Sequence, residues 1–299
     1  MKLGTYTFRL DKRTDMSRNE VIDQIQRSGF DFIALDYGEL EDGVRHCQKI
    51  GFPIENVHLS CRGTSLMWLN DARGDEIMNS YIRQIEHCAE FGVLTGIAHV
   101  TYGAEIEPPG EVGLRRYEKI VECAEKHGFT LCMENSKASE HLPYVLEHLK
   151  SQNVKYCYDS GHDLGMGYDT EFLYDYLNRY GDRLNALHIH DSIKGFDLHV
   201  MPFDGAIDWD IVTKDLANTE YGRKKLCAEP GGKIHAIKEG KSAEELRATY
   251  ADMAIAEDEN LVRFYDGYYT VYEDFTLEQY LDRYLKSMKK LAAMIEKIK

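Results

Sequence analysis

The sequence predicts an α/β protein built as a single (β/α)8 barrel. Three observations carry that expectation. Short apolar runs rich in β-branched residues alternate with segments of helical period along the chain. The runs are apolar throughout, as when helices cover both faces of a parallel sheet. Eight such β/α units fit the roughly 250 residues a closed eightfold barrel usually needs. An open doubly wound sheet is the main rival. It would more often carry a glycine-rich phosphate loop after its first strand, and "YTFRLDKRT" has none.

The elements follow in order. The first strand is read in "KLGTYTF". The helix after it opens at "SRNE", where Ser17 and Glu20 form an S-x-x-E capping box ahead of Val21, Ile22 and Ile25. Strands two to four are read in "FIALD", "NVHLS" and "IAHVTYG". A helix follows with Leu114, Tyr117, Ile120, Val121 and Ala124 on one stripe. Strands five and six are "TLCMEN" and "VKYCYDS". The segment "TEFLYDYLNRYG" reads as a helix that stops at a glycine. Strands seven and eight are "NALHIHDS" and "KLCAEP". A long excursion over about 231–274, rich in charge and tyrosine, is then either a lid or an oligomer contact. A final helix is expected over about 276–298, with Leu277, Leu281, Tyr284, Met288, Leu291 and Ile295 on one face. No Pro/Gly/Ser-rich linker divides residues 1–299, so one domain is expected.

Composition narrows the function. A chain that is 43% hydrophobic, with a mean hydropathy of -0.47, folds around a sizeable core. It has no run of about 18 apolar residues, so no membrane span is expected. The opening "MKLGTYTFRLDKRTD" lacks the apolar stretch of a secretory signal, so a cytoplasmic protein is expected. Seven cysteines lie without C-x-x-C pairs, and Cys123, Cys132, Cys157 and Cys227 sit in apolar runs, which reads as reduced core thiols. The net charge of -15 repels phosphate backbones and counts against a nucleic-acid partner.

Barrels of this kind build active sites at the C-terminal ends of their strands. Strands three to eight end there, in turn, with His58, His99, Glu134, Asp159, His188 and Glu229. A lone histidine at a strand end is more often a hydrogen-bonded structural residue than a ligand. Six such residues in succession are different, because crowding carboxylates and imidazoles round one mouth costs electrostatic and desolvation energy. A divalent cation offsets the repulsion among Glu134, Asp159 and Glu229. Carboxylates with imidazole suit Mn2+ or Zn2+ first, with Mg2+ or Co2+ next, and no cysteine joins the set. More polar residues follow. His162 comes three after Asp159, and the loop after strand seven holds Lys194, Asp197 and His199. For these the bland alternative is a solvated loop.

The ordered pieces "MEN", "YDSGH", "HIHD", "DLHVMPFDGAIDW" and "AEP" resemble the xylose isomerase-like TIM barrels, a superfamily of sugar isomerases and epimerases that includes endonuclease IV. The resemblance spans most of the chain. It implies one divalent ion held by Glu134, Asp159, His188 and Glu229, with His162 contacting substrate. It implies a small sugar or polyol as substrate, and dimers or tetramers as the assembly. In the ketose 3-epimerases of this superfamily two metal-bound glutamates flank the substrate carbon and exchange its proton through an enediolate. Glu134 and Glu229 match them. Glu140 looks like a second glutamate that contacts substrate, and His58, His99, Lys194, Asp197 and His199 complete the substrate set. The arginine those epimerases carry after the strand-seven histidine is missing here, with Lys194 the nearest substitute.

Other readings compete. Endonuclease IV, a zinc phosphodiesterase for abasic DNA, uses nine ligands over three zinc ions, and His58, His99, Glu134, Asp159, His162, His188, Asp197, His199 and Glu229 fall at the counterparts. Against it stand the charge of -15 and the scarcity of basic clusters, since only "GRKK" (Arg223 to Lys225) and Arg115–Arg116 qualify, at strand or helix starts. A metal-dependent lyase or dehydratase acting on an oxidised cyclitol or glycoside uses the same machinery to eliminate rather than isomerise. A binding protein with a vestigial site would show gaps among the acids.

Overall fold

The computed structural model describes residues 1–7, 10, 14–103, 106–136, 140–165, 175–192, 197–231 and 275–298. Eight strands form one parallel sheet: β1 (Lys2–Tyr6), β2 (Phe32–Asp36), β3 (Ile54–His58), β4 (Thr95–His99), β5 (Thr130–Glu134), β6 (Val154–Asp159), β7 (Leu184–His188) and β8 (Lys225–Ala228). β1 to β7 pair in chain order, and β8 returns to β1. The gap between β7 and β8 is bridged just past β7. The Ile189 N–H donates to the Cys227 carbonyl at 2.9 Å, and Glu229 N donates to the Ile189 carbonyl at 3.0 Å. The result is a nearly closed barrel, as the sequence predicts.

Helices cover the outside: α1 (Arg18–Ser28), α2 (Leu40–Ile50), α3 (Ala72–Glu90), α4 (Glu111–His127), α5 (His141–His148), α6 (Ser160–Gly165), α7 (Tyr176–Tyr180), α8 (Trp209–Ala217) and α9 (Leu277–Lys297). The capping box at Ser17 and Glu20 is formed, and Thr276 with Gln279 makes a second one at the start of α9. The apolar stripe read on the last helix is buried from Leu277 to Ile295. The Tyr284 hydroxyl donates to the Ile189 carbonyl at 2.8 Å, which pins α9 behind the barrel closure.

One expected stop differs. Gly181 has φ -62° and does not cap α7 in the left-handed form. It leads into a short 3-10 turn, Gly181–Arg183, and a Cβ there would lie 2.8 Å from Thr219 Cγ2, so the glycine answers a close approach. Of the four thiols expected in the core, Cys132, Cys157 and Cys227 are buried, whereas Cys123 is half-buried on α4. The excursion over 232–274 and Lys194 lie outside the described residues.

The period of two along each strand decides what enters the barrel. Outward residues such as Ile33, Val57, Leu131, Tyr158 and Leu187 pack against the helices. Inward, Ile97, Cys132, Cys157 and Ala186 form one small layer, and Tyr6, Phe32, Ala34 and Cys227 form another. Two residues beyond these layers, on the same inward rows, come His99, Glu134, Asp159, His188 and Glu229. The register sets His99 beside Glu134 and Asp159 beside His188. The barrel core is therefore a plug beneath a polar floor.

Arg116 secures the loop between β3 and α3. Its guanidinium donates to the carbonyls of Met67 and Leu69 at 2.6 Å each and of Asp71 at 2.7 Å, and to Asp75 Oδ1 at 2.8 Å. Arg116→Ala leaves these carbonyls without a charged donor, so a loss of about 2–4 kcal/mol is expected. Urea denaturation checks it. A lower midpoint with unchanged slope is the expected form, and an unshifted midpoint contradicts it.

Candidate metal centre at the barrel mouth

Glu134 sits at the middle of the polar floor. His99 Nε2 lies 3.1 Å and His58 Nε2 3.4 Å from its Oε2. His162 Nδ1 and His188 Nδ1 each lie 3.2 Å from its Oε1. His188 Nδ1 is also 3.8 Å from Asp159 Oδ2 and 3.5 Å from Glu229 Oε2. Three carboxylates thus meet at one imidazole nitrogen. Glu134 and Asp159 are fully buried, and His188 and Glu229 nearly so.

Neighbouring groups orient these side chains. Asn135 donates its amide to the Asp159 carbonyl and accepts from Asp159 N, both at 2.8 Å. Asp159 Oδ1 accepts from His162 N at 2.6 Å. The His58 Nδ1–H donates to the Leu59 carbonyl at 2.8 Å, which turns Nε2 toward Glu134. His162 Nδ1–H donates likewise to the Asn135 carbonyl at 2.9 Å, leaving Nε2 facing Asp197 Oδ2 at 3.6 Å. Such partners beyond a ligand fix its tautomer and direction.

Charge follows geometry. Burial alone would push the Glu134 carboxyl up, but the imidazoles of His99 and His188 hold it well below the usual carboxylate range. Burial would lower His188, yet Glu229 and Glu134 push it up to about 9. Asp159 is held low by His162 and His190 against the effect of burial. Imidazoles therefore favour the carboxylate form of both Glu134 and Asp159.

The residues fit a divalent cation on one direct observation. Both carboxylate oxygens of Glu134, both ring nitrogens of His188 and Glu229 Oε2 are buried without a hydrogen bond among the described residues. Such groups cost free energy unless something else satisfies them. Several overlapping triads have donor atoms within 4.8 Å of one another, among them His58–Glu134–His188, Glu134–Asp159–His162 and Asp159–His190–Glu229. All donors are oxygen or imidazole nitrogen, a set suited to a hard or borderline ion.

Two residues not singled out from the sequence belong here. His190 Nε2 lies 3.1 Å from Asp159 and 3.7 Å from Glu229 Oε2, and its ring stacks on His199 at 4.0 Å. It is two residues beyond His188, so the alternation that placed His188 inward places His190 as well. Gly161 makes room for it, since a Cβ there would stand 1.8 Å from His190 Cε1. Asp191 organises the loop that carries Asp197 and His199. It accepts from Ser192 N, Phe203 N, Ile207 N and Trp209 Nε1 at 2.8–3.0 Å. His199 Nε2 lies 3.1 Å from Asp197, and its Nδ1 3.7 Å from Glu229 Oε2. Glu140 is exposed at the start of α5 and joins none of these triads. The basic residues of "GRKK" are engaged away from the mouth: Lys225, which begins β8, pairs with Glu55 at 2.6 Å, and Lys224 pairs with Glu220.

Comparison with known proteins agrees with this architecture. The family described as "Xylose isomerase-like TIM barrel" matches residues 22–251. The crystal structure of D-psicose 3-epimerase with D-tagatose from Clostridium cellulolyticum H10 superposes with a TM-score of 0.68 and 16% identity, over 98% of this chain and 99% of that one. The IOLI protein with a bound zinc atom gives 0.68 and 16%, over 98% of each chain. L-ribulose 3-epimerase gives 0.67 and 16%, over 99% and 96%. At such identities the likeness speaks for the fold. An uncharacterized protein, y4fM, of Sinorhizobium fredii (strain NBRC 101917 / NGR234) is 45% identical over 75 residues, a match spanning 22% of that protein's length. The family match covers well over half of the sequence and the eight-stranded barrel accords with it: this chain belongs to the xylose isomerase-like TIM barrels.

Proposed function

We propose that the protein is a divalent-metal-dependent isomerase or epimerase of a sugar or sugar-like polyol, with Glu134 and Glu229 as its acid–base pair. The observation that carries this reading is the meeting of Glu134, Asp159 and Glu229 at His188 Nδ1, with buried ligand atoms that make no hydrogen bond among the described residues. These four residues hold the ion. Bound there, a divalent cation supplies the Lewis acidity that polarises a substrate carbonyl and its neighbouring hydroxyl. Glu134, kept ionised by its imidazole neighbours, takes the proton from the carbon beside the carbonyl. The C–H electron pair moves into the carbonyl and gives an enediolate. Glu229, which enters the cycle carrying a proton, delivers it to the opposite face; this inverts the carbon and leaves the proton on Glu134, from which exchange with solvent resets the pair. His58, His99, His162, Asp197 and His199 line the same mouth and bind substrate oxygens, and Glu140 meets the substrate at the rim.

The direct test is solvent deuterium incorporation into a panel of ketoses by the metal-loaded protein. Exchange at one carbon supports the reading, and none across a broad panel overturns it. A chelator is expected to abolish the exchange and Mn2+ or Zn2+ to restore it. It is also expected to lower the melting temperature, because an ion present at 100 times its Kd stabilises the fold by about 2.7 kcal/mol. A melting temperature insensitive to chelation and metal contradicts the site.

A zinc phosphodiesterase is the second reading. It is favoured by the same mouth, which also gathers His58, His99, His162, Asp197 and His199. The net charge of -15 and the engaged basic residues weigh against DNA. Three zinc ions at the mouth, with incision of abasic DNA, would favour it. One divalent ion at the mouth favours the isomerase.

A further inference from the structure

Glu86 on α3 and Cys123 and His127 on α4 come together on the outside of the barrel. One donor atom from each lies within 4.8 Å of the other two. Cys123 and His127 are four apart and so share one face of α4, and Glu86 comes from the helix packed beside it. Glu86 lies in the last turns of α3, and His127 is the last residue of α4. The helices run back from the mouth, so these ends lie at the opposite end of the barrel from Glu134. The C-terminal turns of two helices present carbonyl dipoles that favour a cation.

The donors are poorly satisfied without one. His127 Nε2 is buried with no hydrogen-bond partner among the described residues. Cys123 Sγ reaches the Ile82 carbonyl at a long 3.9 Å. Burial and the Glu86 carboxylate both raise the Cys123 thiol. An incoming cation replaces that proton, and the approach of Glu86 then becomes attractive. All three residues are half-buried, so an ion can reach them from solvent. Cys-x3-His on one helix, completed by a carboxylate from the next, is a donor set for Zn2+ or a similar borderline ion.

We infer that Glu86, Cys123 and His127 form a second metal site, distinct from the barrel mouth, that binds one Zn2+-class cation and ties α3 to α4. Three protein ligands leave a fourth position for water, so the ion exchanges more readily than one in a closed four-residue site.

The thiolate allows a selective test, because no cysteine belongs to the proposed mouth centre. The intact protein is titrated with Co2+, and the near-ultraviolet sulfur-to-cobalt charge-transfer band is followed. The band is expected to appear saturably and to be displaced by Zn2+. It is expected to vanish in Cys123→Ser and to weaken in His127→Gln and Glu86→Gln, with circular dichroism showing each variant folded. It is expected to persist in Glu134→Gln, which separates this site from the proposed catalytic centre. Cys61, a thiol near Glu134, is the control. A wild-type protein without the band, a band that survives Cys123→Ser, or one lost in Cys61→Ser overturns the inference.

Discussion

Glu134→Gln is expected to slow conversion between the two epimers of the substrate by about 10²–10⁴-fold, the usual contribution of a positioned acid or base. Glutamine preserves shape but can neither accept the proton nor offset a cation's charge. Glu229→Gln is expected to show a loss of similar size. The two variants become informative together when deuterium incorporation is measured alongside conversion. With bases on opposite faces of the carbon, each epimer offers its proton to a different carboxylate. A variant keeping one base still exchanges the proton of the epimer that faces it, without inverting the carbon. Glu134→Gln and Glu229→Gln are thus expected to retain residual exchange on opposite epimers. Loss of exchange on both epimers in both variants, with metal content matching wild type, contradicts the two-base assignment. Unchanged conversion in either variant removes that residue from the chemistry.

Much of this site is legible in the sequence because strand geometry is so regular. Glu134, Asp159, His188 and Glu229 each end an apolar run, and a strict period of two fixes the face they share with Cys132, Cys157, Ala186 and Cys227. The same arithmetic reaches His190, but "HIHD" offers two histidines on one face, and only the packing of His190 against Gly161 shows that both are used. Asp191 is harder to read. An acid after a strand resembles any polar loop residue, and its role depends on Phe203, Ile207 and Trp209, 12 to 18 residues away. Cys123 misleads in the other direction. An apolar neighbourhood along the chain suggests a core thiol, yet its position on α4 turns it toward Glu86 and His127 at the surface. Local pattern fixes the face of a strand well. It does not fix which loop folds back onto it, nor which helix lies beside another.

Asp191→Ala is expected to be the most destabilising single change near the mouth, by roughly 3–5 kcal/mol, a large share of the 5–15 kcal/mol that holds an ordinary domain together. The carboxylate is buried and collects four donors: three backbone N–H groups and the indole of Trp209. Alanine removes the acceptor these donors share, and each buried group left unsatisfied costs about 1–3 kcal/mol. The surroundings are built to this one side chain. A Cβ on Gly205 would stand 2.2 Å from Asp191 Oδ1, and Phe203 adopts φ 76°, a strained value for a non-glycine residue, to present its N–H. The loop also carries Asp197 and His199, so the damage extends to the mouth. Asp191→Asn is expected to recover part of the loss, since one carbonyl oxygen still accepts while the amide group opposes the remaining N–H donors. Urea denaturation of the three proteins ranks them, and the order expected is wild type, then Asn, then Ala. An alanine variant within about 1 kcal/mol of wild type would mean that the loop is held by its apolar contacts with Ile207 and Trp209, and that Asp191 follows their packing instead of directing it.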